Sequence, residues 1–125
     1  MNEFLLLKKI YQTASAHKSI IIGPGDDMAL IAIDEDELLC GVDQLIVGKH
    51  VTTETPPALI GQKAIARCFS DLAAMGGLPI GSLMTAAMPP EIDESWAMSV
   101  FEGARVAAEK WGGPIVGGDI ASTEK

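Results

Sequence analysis

Stretches with apolar residues at helical spacing alternate along the chain with short, nearly continuous apolar runs, which are typical of buried strands. The first helical stretch follows Asn2, a residue suited to cap a helix. Its apolar stripe consists of Phe4, Leu7, Ile10, Tyr11 and Ala14. We expect this stripe to pack against a core.

Two longer helical stretches carry start and stop signals. Thr55-Pro56 begins the first of them and Gly76-Gly77 ends it. Asp93 caps the other, and Gly112-Gly113 ends it. The residues expected on one face are Ile65, Phe69, Leu72 and Ala73 in the first and Trp96, Val100, Gly103, Ala104, Ala107 and Trp111 in the second.

Apolar stretches without helical spacing predict four strands. They are Met28–Ile33, Leu38–Val42, Ile80–Ala87 and Pro114–Val116, with residues 19–22 as a short extended entry. The acidic residues 34–37 predict a hairpin tip between the first two strands. Strands alternating with long helices predict an α/β or α+β fold, a small mixed four-stranded sheet covered by helices.

Composition and charge limit the functions open to this chain. Its 125 residues fit one domain, and 48% hydrophobic with 21% charged residues is typical of a globular protein. The formal charge is -8 and basic residues do not cluster, which disfavours a nucleic-acid surface. An acidic protein still binds nucleotides when divalent cations lie between its carboxylates and the phosphates.

The cysteines and the longest apolar runs indicate a cytoplasmic protein. Cys40 and Cys68 lie in apolar stretches without CxxC spacing, so we expect reduced core thiols. No apolar run approaches membrane-spanning length, and the N-terminus lacks a basic region followed by an apolar one.

A glycine loop followed by acids is the first candidate site. In Gly23-Pro24-Gly25-Asp26-Asp27 the glycines let the backbone approach a bulky anion, and the two carboxylates are oxygen ligands suited to magnesium. The alternative is an ordinary surface turn. Further aspartates follow at Asp43, Asp71 and Asp119.

These aspartates are either spread over the surface or held together by metal. Two carboxylates about 4 Å apart repel by roughly 4 kcal/mol at an effective dielectric constant of about 20. Asp71 lies inside an apolar helical stretch, where the alternative role is a helix pair with Arg67. A magnesium-dependent phosphoryl-transfer or nucleotide site is the natural use of converging carboxylates.

Several motifs occur in one order and closely resemble the N-terminal half of the thiamine-monophosphate kinase family. They are Glu3-Phe4, Gly23–Ala29, Asp43 with Gly48-Lys49-His50, Ser70–Gly77 and Gly117-Gly118-Asp119. The resemblance covers nearly the whole chain and extends to the superfamily of aminoimidazole ribonucleotide (AIR) synthase, selenophosphate synthetase and the hydrogenase-maturation dehydratase.

The resemblance implies transfer of the γ-phosphoryl group of ATP to thiamine monophosphate with Mg²⁺, in a homodimer that pairs its sheets. It implies no catalytic side-chain nucleophile. By motif position the implied magnesium ligands are Asp26, Asp27, Asp43, Asp71 and Asp119. Gly118 and Asp119 would lie along the ATP phosphates, Phe101 against the nucleotide, and His50 against the thiamine phosphate. The alternatives are an ordinary loop histidine at His50 and a core residue at Phe101.

The chain also departs from the family pattern. Gly41-Val42 replaces the hydroxyl residues usual before the second-strand aspartate, Val47 replaces an acid, and Ile120 replaces a threonine. The chain stops six residues after Asp119, without the C-terminal domain of the family, so we expect residues 1–125 to be an N-terminal ATP- and magnesium-binding domain that is inactive alone. The alternatives are a non-catalytic dimerisation or Mg-nucleotide-binding module, or another enzyme related to AIR synthase.

Overall fold

A computed structural model describes residues 1–124 and confirms a mixed α/β fold. In that range the elements are α1 (Glu3–Gln12), β1 (Ile20–Ile22), β2 (Ala29–Ile33), β3 (Asp36–Cys40), α2 (Pro57–Ala74), β4 (Ser82–Met88), α3 (Glu94–Lys110) and β5 (Ile115–Ser122). The expected single four-stranded sheet is wrong in detail. The strands form a three-stranded sheet, β1-β2-β3, and a two-stranded sheet, β4-β5.

The chain divides into two compact units. Unit 1 comprises Met1–Val42 and Asp71–Gly77, and unit 2 comprises Asp43–Ser70 and Leu78–Lys125.

The sheet of unit 1 is an antiparallel meander. β2 pairs with β3 in a continuous register from Ala29↔Cys40 to Ile33↔Asp36, which leaves Asp34 and Glu35 as the two-residue turn. Asp34 adopts a positive φ of 53°, a conformation that aspartate tolerates better than most residues. The hairpin predicted at the acidic residues 34–37 is confirmed, but its tip is shorter than expected, because Asp36 and Glu37 belong to β3. Cys40, expected in the core, is exposed on this hairpin, and no disulfide bond joins Cys40 to Cys68.

Helix α1 begins where the sequence predicts but does not bury its apolar stripe. The side chain of Asn2 accepts a hydrogen bond of 3.2 Å from the backbone N–H of Leu5, which caps the helix. No residue of α1 is buried, and Phe4 is 85% exposed. The expected packing of this stripe into a core is wrong, because apolar periodicity defines a face and not what covers it.

The core of unit 2 lies where α2 approaches α3. A side chain at Gly61 would overlap the backbone carbonyl of Val100, and one at Gly103 would overlap that of Ala58. Glycine at both positions therefore lets the two helix backbones come into contact. The buried cluster beside this contact consists of Ile65, Ala104, Ala107 and Ala108, with Phe69, Met84, Trp111 and Ile115 packed against it.

Strand β5 is longer than the sequence predicts. It pairs in parallel with β4 from Ser82↔Ile115 to Met88↔Ser122, with one register shift after Ser82. A side chain at Gly118 would overlap the backbone carbonyl of Met84, so glycine permits the close approach of the two strands. Gly118 and Asp119, which lie beyond the predicted end of the strand at Val116, are therefore part of the strand itself.

Candidate functional site

A compact turn positions His50 in unit 2. The backbone N–H of His50 donates to the carbonyl of Ile46 at 2.9 Å, and the N–H of Gly48 donates to the carbonyl of Val51 at 2.7 Å. Gly48 has a φ of 87°, which glycine adopts without strain. Local hydrogen bonds thus close the turn around the Gly48-Lys49-His50 motif.

Two cations of α2 hold this segment. The guanidinium Nη2 of Arg67 donates to Oδ1 of Asp43 at 3.0 Å, and Nζ of Lys63 donates to the backbone carbonyl of His50 at 2.7 Å. Residues four positions apart on a helix lie on one face. A single face of α2 therefore contacts the segment near both of its ends.

The carboxylate of Asp43 accepts two hydrogen bonds on one oxygen. Besides Arg67, the backbone N–H of Gln44 donates to Oδ1 at 2.7 Å. Burial raises the pKa of the Asp43 carboxyl, but the hydrogen bonds from Arg67 and Gln44 and the nearby positive charges outweigh burial, and its pKa lies below the usual value. Asp43 is therefore ionised at neutral pH.

The imidazole of His50 is held as one neutral tautomer. The backbone N–H of Ile46 donates to Nδ1 of His50 at 2.9 Å, so Nδ1 carries no proton and Nε2 carries one. Desolvation lowers the pKa of His50, and the charges of Arg67, Lys49 and Lys63 lower it further against the opposing effect of Asp43. The arrangement makes His50 a neutral hydrogen-bond donor at neutral pH.

Asp119 and Phe101 are accessible in unit 2. Asp119 is exposed in β5, opposite Thr85 in the register, and its carboxylate forms no hydrogen bond or ion pair with the residues that the structure describes. Phe101 lies on α3 and is 37% exposed. The alternative role of Phe101 as a core residue is therefore wrong.

The remaining candidate acids belong to unit 1. Asp26 and Asp27 are exposed, and Oδ1 of Asp26 accepts a hydrogen bond of 2.8 Å from the backbone N–H of Asp27. Asp71 is half-buried near the end of α2. The alternative helix pair between Arg67 and Asp71 is wrong, because Arg67 pairs with Asp43.

The candidate acids have the right chemistry for magnesium. Their possible ligand atoms are all carboxylate oxygens, which magnesium prefers. The side chains of Asp27, Asp71 and Asp119 have no cationic partner among residues 1–124. Within that same range, no three His, Cys, Asp or Glu side chains are grouped so as to hold a metal ion. The assignment of these acids as metal ligands stays a prediction.

Lys63 and Arg67 are the functional candidates that the sequence reasoning missed. A signal was present, because two cations four positions apart on an amphipathic helix form one charged face. What the sequence did not reveal is the partner of that face, since Asp43 is 24 residues from Arg67 along the chain.

None of the helices in residues 1–124 combines the length and the apolar character required to cross a membrane.

Comparison with known proteins relates nearly the whole chain to one group. The sequence model described as AIR synthase related protein, N-terminal domain, matches residues 25–125. The thiamine-monophosphate kinase of Bacillus subtilis (strain 168) is 36% identical over 126 residues, covering 98% of this chain and 38% of the relative. That of Synechococcus elongatus is 35% identical over 99 residues, covering 78% of this chain and 30% of the relative.

Solved structures give the same relationship. The structure of AaThiL complexed with AMPPCP and TMP superposes with a TM-score of 0.87 at 33% identity, covering 98% of this chain and 38% of that one. The resemblance drawn from the sequence motifs is thus confirmed. The chain spans less than two fifths of the length of the relatives it matches.

Proposed function

This chain belongs to the family of AIR synthase related proteins as their N-terminal domain, and on that premise we propose that it is the nucleotide- and magnesium-binding half of a thiamine-monophosphate kinase. The reaction is transfer of the γ-phosphoryl group of ATP to thiamine monophosphate. The observation that carries the proposal is the similarity, over 98% of this chain, to AaThiL complexed with AMPPCP and TMP.

The proposed magnesium ligands are Asp26 and Asp27 of the glycine loop, Asp43, Asp71 and Asp119. Bound magnesium supplies positive charge that offsets the phosphate oxygens during transfer. Asp71 supports this role because it is half-buried and no described cation pairs with it. A bound cation would stabilise a carboxylate in such a place.

Gly118, Asp119 and Phe101 are the proposed nucleotide contacts. Gly118 keeps the backbone of β5 free of a side chain next to the exposed carboxylate of Asp119. Phe101 offers an accessible ring, suited to contact the nucleotide.

His50 is the proposed contact to the phosphate of thiamine monophosphate. Its Nε2–H is a donor, and a phosphate oxygen is an acceptor. The positive charges near His50 are those of Lys49, Lys63 and Arg67. They make this part of the protein locally positive, although the whole chain has a formal charge of -8. A local positive field attracts an anionic substrate.

We also propose a cytoplasmic homodimer. Unit 2 exposes several large apolar side chains on and before β4 and β5, namely Leu78, Ile80, Leu83, Val116 and Ile120. An apolar set of this size supports an interface with a second copy. The lack of a disulfide bond between Cys40 and Cys68 supports a reducing compartment.

Isothermal titration with MgATP, followed by a coupled assay for thiamine diphosphate, tests the proposal. Asp71→Asn is expected to weaken Mg²⁺-dependent nucleotide binding by about tenfold or more while the helix content by circular dichroism is unchanged. Asp36→Asn, an exposed acid of the hairpin, is the matched control. Binding without product indicates a magnesium-nucleotide module, and absence of binding by both this chain and a chain extended by the family's second domain contradicts the proposal.

A further inference from the structure

We propose that Lys63 and Arg67 are positioning residues, one helical turn apart on α2, that fix the His50 imidazole and the Asp43 carboxylate in the orientations that present Nε2–H and Oδ2 to ligands. The use of these two atoms for phosphate and metal rests on the function proposed above. The fixing itself rests on contacts within unit 2.

Arg67 determines which oxygen of Asp43 is available. Nη2 of Arg67 and the backbone N–H of Gln44 both donate to Oδ1, at 3.0 and 2.7 Å. Among residues 1–124, none donates a hydrogen bond to Oδ2. Two donors on Oδ1 oppose rotation of the carboxylate, so Oδ2 is the oxygen held ready for a cation.

Lys63 determines the conformation of the turn that carries His50. Nζ of Lys63 donates to the backbone carbonyl of His50 at 2.7 Å, and the backbone N–H of His50 donates to the carbonyl of Ile46 at 2.9 Å. With both backbone groups of His50 engaged, the imidazole lies where the N–H of Ile46 reaches Nδ1. The tautomer with a proton on Nε2 follows from that contact.

The two cations therefore act on different ligands. Loss of Arg67 frees the carboxylate, whereas loss of Lys63 frees the turn and mixes the imidazole tautomers. Arg67 thus controls the orientation of the Asp43 carboxylate, and Lys63 controls the turn and the tautomer of His50. Two residues that only stabilised the fold would not show separate effects of this kind.

The test uses Arg67→Met and Lys63→Met in the 125-residue chain, with Arg105→Met as control for loss of an exposed helix ion pair. Amide hydrogen exchange is expected to rise about tenfold at Gln44 in the Arg67 variant and at Gly48 and His50 in the Lys63 variant. The ¹⁵N shifts of His50 are expected to move from a pure Nε2–H tautomer toward a mixture only when Lys63 is replaced. Arg67→Lys is expected to restore most of the slow exchange at Gln44. Lys63→Arg is expected to restore most of the slow exchange at Gly48 and His50, together with the Nε2–H tautomer of His50.

A second arm measures ligands. Arg67→Met is expected to weaken binding of Mn²⁺ alone about threefold or more, and Lys63→Met to weaken binding of inorganic phosphate by a similar factor. Unchanged exchange and ¹⁵N shifts in folded variants would overturn the positioning role. If these change but wild-type chain binds neither probe, the proposed function fails and the positioning contacts stand.

Discussion

Two segments of unit 2 that carry proposed ligand-binding residues, one from Asp43 to His50 and one at Gly118 and Asp119, are held in different ways. Side-chain hydrogen bonds from Lys63 and Arg67 hold the segment from Asp43 to His50. Backbone pairing with β4 holds Gly118 and Asp119 in β5, with no room for a side chain at Gly118. The first segment therefore depends on charge, and the second depends on the shape of the backbone.

The largest expected effect concerns the strand. Gly118→Ala places a Cβ against the carbonyl of Met84 and is expected to cost at least about 2 kcal/mol of unfolding free energy, measured by urea denaturation. Gly117→Ala is the control, because its Cβ would lie 3.2 Å from the end of the flexible Leu83 side chain. Equal losses in the two variants would show that backbone approach at Gly118 is not special.

An intermediate effect concerns the ion pair. A double-mutant cycle of Asp43→Asn and Arg67→Met is expected to give a coupling free energy of about 1 kcal/mol, because both side chains are only partly exposed, 28% and 32%. The same cycle on Arg105 and Glu109, whose side chains are more exposed, is expected to give less. A coupling free energy indistinguishable from zero would show that the ion pair does not hold the segment from Asp43 to His50.

The pH dependence separates the two segments further. The pKa of Asp43 is lower in the folded state than its ordinary value of 3.8, so the unfolded state binds more protons and stability rises with pH there. The contribution is complete above that ordinary value and is lost as the pH falls through the folded pKa. The difference in unfolding free energy between wild type and Asp43→Asn is therefore expected to shrink on acidification, as followed by thermal melts. A constant difference across that range would contradict the ion pair.

The smallest effect on stability is expected at Asp119. Its exposed carboxylate has no described partner, so Asp119→Asn is expected to change the unfolding free energy by less than about 0.5 kcal/mol. Calorimetry of wild type and variant measures this difference. A large loss would indicate a structural role for this carboxylate in the strand.

Local signals in the sequence predicted the fold elements better than their partners. Asn2 and Asp93 cap helices as expected, and Gly76 and Gly112 adopt positive φ at helix ends. The length of β5 was missed because it depends on pairing with β4, which no local pattern encodes. The exposed stripe of α1 was missed for the same reason, since a periodic pattern carries no information on what packs against it.

In the candidate site, too, the sequence indicated the residues but not the partners that they contact. The motifs identified the acids and His50 by their order, and comparison with relatives confirmed the resemblance. The pairing of Arg67 with Asp43 in place of Asp71 links residues far apart in sequence, so helical spacing alone led to the wrong partner.

Binding of a nucleotide by the proposed aspartates is expected to require magnesium. Titration of ATP into the wild-type chain and Asp119→Asn, each with Mg²⁺ and with EDTA, measures this requirement. We expect wild type with Mg²⁺ to bind ATP at least about tenfold more tightly than the other three combinations. Equal affinity in all four would show that Asp119 and Mg²⁺ do not take part in nucleotide binding.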